Sequence, residues 1–507
     1  MNKNYRPRYH VSVPYGWGND SNGTIYYNNK AHLFYQHYPH APQWGPMHWL
    51  HVATTDFIHW EQRPVALYPD QPYEVNNGCC SGSAIEEDGK LWLMYTAAQH
   101  MMQRQCLAVS DDDGNHFKKY EGNPILTAEM LSPEIYEEDF RDPRVFKKDG
   151  TYYLLAGIRY LENGERKEPS PVVNQRENTY PYPPEPSHVK EGWGNLALLK
   201  GTDLFHWEYV GHLLYPQPEF SEDFYRLNGV YECPDYFVTD TGEEVLISSP
   251  QNLPQSGDHY QNVHSTLYML GKLNFETGQF KVRVIGEIDN GFDIYAPQTL
   301  RMPDGRIIMI AWKEMWDRNF PTAKYGWAGT YTLPRELSTE GDFLIQRPVR
   351  EIEQFYVNPV KADQIEVEDS EAAVPGIAGD VISLSFELDP ATSAKTGVKL
   401  FCDGTHETLI WYDRDAGKVV FDRSNSGIKF TGSEENVHVR ACPIGQCEKV
   451  RMEIFLDVSS IELFINGGRY AMTGNVYPDP DKEKGIRFFA EGGRAVFRDI
   501  TKFDIDV

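Results

Sequence analysis

No stretch of the sequence approaches the roughly 20 consecutive apolar residues that a membrane-spanning helix needs. The N-terminal stretch, MNKNYRPRYH, also lacks the apolar core of a secretory signal peptide. We therefore expect a cytoplasmic protein that has no membrane partner.

Cysteine is scarce. The 507 residues include seven cysteines, an odd number, and none of them has the paired C-x-x-C spacing of a zinc site. This count argues against a disulfide framework, which is also rare in the expected compartment. We therefore predict reduced, buried thiols, and neither a metal nor a cofactor. The cysteines are Cys79, Cys80, Cys106, Cys233, Cys402, Cys442 and Cys447.

Positive charge is also in short supply, with 48 Lys and Arg against 74 Asp and Glu, and the net charge is −26. A nucleic acid or an anionic membrane would have to bind against a repulsive field, so we exclude both as partners. The surplus of carboxylates provides many candidates for acid/base chemistry. Only their position in the fold can separate catalytic groups from ordinary surface charges.

The composition favours a large, turn-rich β protein. Aromatic residues make up 13% of the chain, and there are 41 glycines and 33 prolines. This combination is typical of many short strands and tight turns rather than of a helical bundle. At 507 residues the chain is too long for one ordinary hydrophobic core, so we expect two domains.

A turn followed by an apolar strand occurs five times, which is a hairpin signal. Spacings between successive repeats are 60, 61, 92 and 63 residues. Five similar units with a period of about 61 residues predict the blades of a five-bladed β-propeller. The third residues of the repeats, used as reference points, are Lys30, Lys90, Thr151, Glu243 and Arg306.

The long interval indicates an insertion at residues 161–193, a stretch rich in Glu, Pro, Tyr and Asn. We expect this loop to affect substrate range or subunit contact rather than the chemical step. A plain surface loop is the alternative. Whether the protein forms a homo-oligomer stays open.

A second domain is predicted after the propeller. The blade pattern stops beyond Leu337, and residues 349–355 resemble a short connecting helix. From about Val360, the predicted strands alternate apolar and polar residues and are joined by Asp, Gly and Asn turns, as in a β-sandwich. These strands are residues 381–388, 397–402, 408–413, 418–422, 450–457, 460–467, 485–491 and 495–500. We assign residues 1–345 to the propeller, 346–359 to a linker and 360–507 to the sandwich. The sandwich is expected to be a scaffold, with polysaccharide binding as the alternative.

Three carboxylates occupy near-equivalent places in the repeats. Asp20 lies 10 residues before Lys30, Asp142 lies 9 before Thr151, and Glu232 lies 11 before Glu243. Residues at matching points on the innermost strands of a propeller face one another across the central channel. Ser81 is at the matching place in the second repeat, and Asp293 and Tyr295 are near it in the fifth.

Carboxylates gathered in a partly dehydrated pocket repel one another, so at least one of them should stay protonated near neutral pH. Glycosidases need this combination, because one carboxylate acts as nucleophile or base while a carboxylic acid protonates the departing oxygen. The alternative is that these carboxylates only cap backbone amides. Three of them in register favour the catalytic interpretation.

Residues 17–23, WGNDSNG, resemble the W-x-N-D-P-N-G motif of glycoside hydrolase family 32, which comprises invertases, fructanases and sucrose-6-phosphate hydrolases. Residues 140–143, FRDP, match the R-D-P segment of that family, and residues 231–234, YECP, match its E-C-P segment. Further segments of the family follow in order, including FYQ at 34–36, WGPMHW at 44–49, SGSA at 81–84, FDIYAPQ at 292–298 and TLPREL at 332–337.

The resemblance implies a retaining β-fructofuranosidase in which Asp20 is the nucleophile and Glu232 is the general acid/base. It also implies that Asp142 holds fructosyl hydroxyls and that the family chemistry needs no metal. A small fructoside is then the expected partner. Other residues implied to orient the carboxylates or line the fructosyl pocket are Arg141, Asn19, Gln36, Trp44, Ser81 and Trp312.

Two departures from the family pattern concern the pocket. Ser21 replaces the usual proline of the first motif, and Cys80 stands where an aromatic residue is expected. These changes are expected to loosen the pocket or to widen its mouth. The sequence leaves open sucrose, sucrose 6-phosphate and short fructans as substrates. A fructosyltransferase, an inverting arabinanase and a non-catalytic sugar-binding propeller are the competing interpretations.

Overall fold

The computed structural model describes residues 4–99, 102–161, 192–218, 220–482 and 484–507. In these ranges the regular secondary structure consists almost entirely of strands. The α-helix found there is Glu222–Tyr225, and short 3₁₀ helices occupy Pro72–Glu74, Ala128–Met130, Ala323–Tyr325 and Arg350–Phe355. No helix in these ranges is long and apolar enough to span a bilayer. Most of the predicted insertion, residues 162–191, lies outside the described residues.

Five antiparallel sheets follow one another along the chain, and we number them as blades 1 to 5. Blade 1 contains β1 (Gly16–Tyr27), β2 (Lys30–Tyr38), β3 (His48–Thr54) and β4 (Glu61–Gln62). Blade 2 contains β5 (Asn76–Glu87), β6 (Lys90–Gln99), β7 (Met102–Ser110), β8 (Lys118–Lys119) and β9 (Leu126–Thr127).

Blade 3 contains β10 (Ile135–Lys148), β11 (Thr151–Tyr160), β12 (Trp193–Gly201) and β13 (Glu208–His212). Blade 4 contains β14 (Tyr231–Val238), β15 (Glu244–Pro250), β16 (Leu267–Leu273) and β17 (Phe280–Glu287). Blade 5 contains β18 (Tyr295–Arg301), β19 (Ile307–Trp312), β21 (Arg335–Glu340) and β22 (Phe343–Pro348), whereas β20 (Trp327–Ala328) pairs with β1 of blade 1.

The five first strands form a closed ring. β1 contacts both β5 and β18, β10 contacts both β5 and β14, and β14 contacts β18. The predicted five-bladed propeller is therefore confirmed, and β1, β5, β10, β14 and β18 are its inner strands.

The hairpins form where the turn residues permit them. Three second strands begin at the reference residues Lys30, Lys90 and Thr151, and the other two begin one residue later. Before them, the pairs 28–29, 88–89 and 149–150 all have positive φ, between 46° and 82°. This backbone geometry is that of the two-residue turns that match strand twist, and Asn, Asp and Gly adopt it most readily.

Each inner strand has a β-bulge at the same level of the propeller. The register shifts lie between residues 18 and 21 in β1, 80 and 82 in β5, 141 and 144 in β10, 232 and 235 in β14, and 295 and 298 in β18. A bulge re-aims the side chains next to it. The fivefold repetition therefore turns one group of residues per blade in the same sense.

A second unit follows the 3₁₀ helix Arg350–Phe355. Its strands are β23 (Tyr356–Ala372), β24 (Ile382–Asp389), β25 (Lys395–Cys402), β26 (Thr408–Asp413), β27 (Lys418–Asp422), β28 (Val439–Pro443), β29 (Val450–Asp457), β30 (Ser460–Ile465), β31 (Tyr470–Asn475) and β32 (Gly485–Ile505). β32 pairs with β25 through its first part and with β24 through its last part, and so joins two layers. The apolar faces of these layers form one core, so the predicted C-terminal β-sandwich is confirmed.

Three strands of the sandwich were not predicted, namely β23, β28 and β31. β23 has 17 residues and is exposed along most of its length, so it lacks the apolar alternation that marks a strand in sequence. Residues 356–359, which the sequence analysis places in the linker, are part of this strand.

All seven cysteines are free thiols, and four of them are buried.

Buried ion pairs connect the two units. Arg335 on β21 donates to Glu462 on β30 through Nη2 at 2.7 Å and to Asp289 through Nη1 at 3.1 Å. All three side chains are fully buried. Burial alone would raise the pKa of Glu462, but Arg335 and then His10 lower that pKa to about 2.

We predict that Arg335→Met lowers the free energy of unfolding by about 3–5 kcal/mol, because Glu462 and Asp289 would stay buried without their cation. The pKa of Glu462 is lower in the folded than in the unfolded chain, so its contribution is present above pH ~4 and is lost as the pH falls toward its folded value. Urea unfolding at pH 7 and pH 3 measures both effects.

Arg350→Met is the matched control, because Arg350 also binds a glutamate, Glu336, but its side chain is 64% exposed. Its loss should cost less than about 1 kcal/mol. Equal effects of the two substitutions would contradict the prediction.

Candidate active site

The bulge of β1 places Asp20 in a pocket of neutral hydrogen-bond donors. Ser81 donates from Oγ to Asp20 Oδ2 at 2.6 Å, and Gln36 donates from Nε2 to the same oxygen at 3.1 Å. Asn19 donates from Nδ2 to Oδ1 at 2.9 Å. The indole N–H of Trp17 donates to Asn19 Oδ1 at 2.8 Å, which fixes the orientation of that amide. Three strands, β1, β2 and β5, thus hold one carboxylate from several sides.

Asp142 lies next to this group, in the bulge of β10, and has a φ of 61°. Its Oδ2 accepts the backbone N–H of Cys233 at 2.9 Å, and its own N–H donates to Thr96 Oγ1 at 2.9 Å. The thiol of Cys233 is 3.7 Å from Asp20 Oδ2 and 3.6 Å from Asp142 Oδ2. One buried sulfur therefore separates the two aspartates.

Glu232 is the third carboxylate, and strong donors bind both of its oxygens. Arg141 donates to Oε1 from Nε at 3.1 Å and from Nη2 at 2.9 Å. Tyr295 on β18 donates its hydroxyl to Oε2 at 2.5 Å. Arg141 is itself held by Asp139, which accepts from Nη1 at 2.7 Å. Glu232 is thus bound by a cation and a phenol, whereas Asp20 is bound mainly by amide and hydroxyl groups.

The three carboxylates perturb one another. Burial, and then the charge of Glu232, raise the pKa of Asp20, although the hydrogen bonds from Ser81 and Asn19 oppose that rise. Burial, followed by the charge of Glu232, raises the pKa of Asp142 to about 7. A proton is therefore held in this cluster near neutral pH, beside a carboxylate that is well supplied with donors. This is the arrangement that acid-assisted displacement at a sugar carbon needs.

The structure brings together seven of the predicted site residues: Asp20, Asp142, Glu232, Asn19, Gln36, Ser81 and Arg141. Trp312 is fully buried and packs with its ring centroid 5.9 Å from that of Trp17, so it is linked to Asn19 through that indole. Trp44 is partly buried against the same aromatic cluster. The role of each residue in binding sugar stays a prediction.

Asp293 does not occupy the place that the repeat count gave it. Its carboxylate binds Arg318 at 2.5 Å and Arg423 at 2.6 Å, where the propeller meets the sandwich. The bulge of β18 begins at Tyr295, so Tyr295 is the counterpart of Glu232. The sequence contains a signal for this equivalence, because Tyr295 lies 11 positions before Arg306, as Glu232 does before Glu243.

Tyr295 was placed at the matching point of blade 5 without a role, and neither Thr96 nor Asp139 was predicted as a site residue. Thr96 lies on the second strand of blade 2 and reaches Asp142 through its hydroxyl. The contact between Thr96 and Asp142 joins strands of different blades, so sequence spacing gives no signal for it. Within the described ranges, no cluster of three or more His, Cys, Asp or Glu side chains has the arrangement of a metal site.

Comparison with known proteins agrees with this geometry. Residues 10–167 and 187–348 match the model of the glycosyl hydrolases family 32 N-terminal domain, and residues 351–505 match the model of its C-terminal domain. The chain belongs to glycosyl hydrolase family 32.

Relatives in this family match over nearly their whole length. A sucrose-6-phosphate hydrolase of Zymomonas mobilis is 34% identical, with 100% of this chain and 93% of the relative covered. A raffinose invertase of Escherichia coli is 31% identical, with 98% and 94% covered. Among solved structures, a GH32 β-fructofuranosidase mutant of Bombyx mori in complex with sucrose superposes with a TM-score of 0.77 at 30% identity, with 100% and 95% covered.

We predict that Asp142→Asn raises the thermal stability at pH 8 but not at pH 4. The pKa of Asp142 is about 7 in the fold, above the unfolded value of about 3.9. Its favourable contribution is therefore complete below that unfolded value and is lost as the pH rises through the folded one. An amide avoids this loss and tolerates the left-handed backbone. The melting temperature, followed by circular dichroism, is the measurement.

Asp149→Asn provides the control, since Asp149 lies on the exposed hairpin of the same blade. It should leave the melting temperature unchanged at both pH values. A loss of stability at pH 8 in Asp142→Asn would show that the carboxylate is not under electrostatic strain.

Proposed function

We propose that this protein is a retaining β-fructofuranosidase that cleaves terminal β-D-fructofuranosyl residues from sucrose, sucrose 6-phosphate or a short fructo-oligosaccharide. Its membership of glycosyl hydrolase family 32 makes it an O-glycosyl hydrolase of the β-fructofuranosidase type. One observation carries the assignment of roles. Asp20 is surrounded by neutral donors, whereas Glu232 is bound by Arg141 and Tyr295.

In the first step of the proposed mechanism, a carboxylate oxygen of Asp20 attacks the anomeric carbon of the fructosyl group. Glu232 gives its proton to the glycosidic oxygen as the bond to the leaving group breaks. Arg141 and Tyr295 stabilise the ionised Glu232 that results, because both donate to its oxygens. Asp142 stabilises the positive charge that develops on the fructosyl ring and binds its hydroxyls.

In the second step, water attacks the fructosyl-Asp20 ester while Glu232 removes a proton from that water. Free fructose leaves, Asp20 is regenerated as a carboxylate, and Glu232 is again a carboxylic acid. The site thus needs neither a metal nor a cofactor for either step.

The names of relatives support small sugars as substrates. The Zymomonas mobilis and Escherichia coli relatives are a sucrose-6-phosphate hydrolase and a raffinose invertase, and the Bombyx mori structure holds sucrose. We extend these substrate classes to this chain as a proposal. Measurement of kcat/KM for sucrose, sucrose 6-phosphate, kestose and inulin identifies which of them the enzyme prefers.

We also propose a cytoplasmic location. Seven free thiols support it, because such a number is compatible with a reducing compartment. Assembly into a homo-oligomer stays open and can be measured by light scattering.

We predict that Asp20→Ala and Glu232→Ala each lower kcat on sucrose by at least about a thousandfold, as expected when covalent or acid/base catalysis is removed. On β-fructosyl fluoride, whose leaving group needs no proton, Glu232→Ala should recover much of its activity in the first step and Asp20→Ala should not. The initial rates of fluoride release and of fructose release distinguish the two variants.

Asp149→Asn again serves as the control and should keep wild-type kcat. Near wild-type turnover of sucrose by Asp20→Ala or Glu232→Ala would refute the assigned roles.

We further predict that fructose is first released as the β-anomer. Direct attack by Asp20 leaves no room for an intervening water, and the Asp20 and Glu232 carboxyl groups should then be about 5–5.5 Å apart in the substrate complex. Two successive displacements give net retention. NMR of the earliest product detects the anomer before mutarotation, and initial release of the α-anomer would make Asp20 a general base instead.

A further inference from the structure

One propeller side chain is part of the hydrophobic core of the sandwich. Phe292, just before β18, is fully buried among sandwich residues, and its ring packs edge-on against Phe421 at 5.1 Å between centroids. The approach is close, because a Cβ built on Gly474 would lie 3.0 Å from the Phe292 ring. The propeller is therefore anchored in the sandwich at this position, rather than merely touching its surface.

The backbone around Phe292 extends the sheet of the sandwich. The N–H of Asn290 donates to Ala471 O at 2.8 Å, and the N–H of Phe292 donates to Thr473 O at 2.7 Å. Both acceptors lie on β31. A Cβ on Gly291 would lie 2.1 Å from the backbone nitrogen of Thr473, so only glycine permits this contact. Residues 290–293 are named here the docking segment.

Arg423 of the sandwich holds the docking segment by two interactions. Its Nη1 donates to Asp293 Oδ2 at 2.6 Å, and its guanidinium carbon lies 3.9 Å from the centroid of the Phe292 ring. The N–H of Asn475 donates to the same Asp293 oxygen at 2.7 Å. On the propeller side, Arg318 donates to the other oxygen, Oδ1, at 2.5 Å. Asp293 is buried and is bound on both oxygens.

The docking segment ends two residues before Tyr295, and the bulge of β18 starts at that tyrosine. Because only Ile294 lies between them, we expect movement of Asp293 by about 1 Å to be passed on to Tyr295. Tyr295 reaches Glu232 through a hydrogen bond of 2.5 Å, which tolerates little displacement. A continuous chain of contacts thus runs from Arg423 through Asp293 and Tyr295 to the carboxylate.

We propose that the C-terminal β-sandwich sets the position of the general acid/base, with Arg423 as a positioning residue that acts on Glu232 through Asp293 and Tyr295. This inference rests on the proposed role of Glu232. It gives the sandwich a part in catalysis without any contact to the sugar.

The test is a double-mutant cycle. Arg423→Met keeps an apolar side chain over Phe292 but removes the guanidinium donor from Asp293 Oδ2, while the bonds from Asn475 and Arg318 remain. It should lower kcat by about tenfold to a hundredfold, as a misplacement of about 1 Å does, with much less change in KM. Tyr295→Phe should lower kcat in the same way. In the Tyr295→Phe background, Arg423→Met should then change kcat by less than about threefold, because the two residues act in series.

The pH profile supplies a readout that a purely structural role would not move. The groups that face Glu232 are Arg141 and Tyr295 by hydrogen bond, and Asp20, Asp142 and Cys233 nearby. Loss of the tyrosine donor makes the proton of the acid harder to remove. The basic limb of kcat/KM should therefore move to higher pH in both single variants.

Lys418→Met is the matched control. Lys418 lies on β27, five residues before Arg423, and pairs with Asp258 of the propeller at 3.0 Å. That pair is partly exposed and leads to no site residue, so kcat and the pH profile should change by less than about twofold. If Arg423→Met does not fold, Asp293→Asn removes the charge at the same joint and should give the same kinetic pattern.

Wild-type release of fructose from sucrose is measured first. If it is absent, the proposed function fails and the cycle has no baseline. If the wild type is active but Arg423→Met keeps full kcat, or if its effect adds in full to that of Tyr295→Phe, the positioning inference is wrong and the proposed function stands.

Discussion

Repulsion between three buried carboxylates is the constraint on which the site depends. Asp20, Asp142 and Glu232 share a pocket from which most water is excluded, and each raises the cost of ionising the others. Arg141 and a set of neutral donors offset only part of that cost. The remaining repulsion keeps a proton in the cluster, which is what acid catalysis requires. The surrounding ring of strands must be rigid enough to keep the three carboxylates close together.

That rigidity comes from closure. Five inner strands contact one another in a ring, and a bulge at the same level of each strand turns site residues in the same sense. Ser81, Asp142, Glu232 and Tyr295 come from four different blades, so displacement of any blade would alter the distances between them. The sandwich adds a second constraint. Its Glu462 binds Arg335 of the propeller, its Arg423 binds Asp293 of the propeller, and these side chains are buried.

Much of this architecture could be predicted from the sequence, because it is encoded locally. Turn residues such as Asn28, Asp88 and Asp149 mark the hairpins, and counting back from them finds the three carboxylates. The roles of these carboxylates and the limits of the domains stay predictions.

Contacts between distant parts of the chain could not be predicted. Thr96 and Asp142 are 46 residues apart, and Asp293 and Arg423 are 130 apart. Asp293 and Tyr295 were both placed at the matching point of blade 5, because counting along the sequence does not show where the bulge begins. β23 was missed for a different reason: it is an exposed edge strand whose pattern is set by solvent rather than by a core.

The order in which the strands are made has a consequence for biosynthesis. β32 joins the two layers of the sandwich, and it follows every other strand in the chain. The propeller strands leave the ribosome long before it, so Phe292 has no completed core to enter while translation proceeds. Phe292 and Asp293 therefore stay without their sandwich partners in the nascent chain, although the propeller blades are already able to pair. The final positioning of Tyr295 beside Glu232 is therefore expected to be a late event, completed when β32 closes the sandwich around the Phe292 ring.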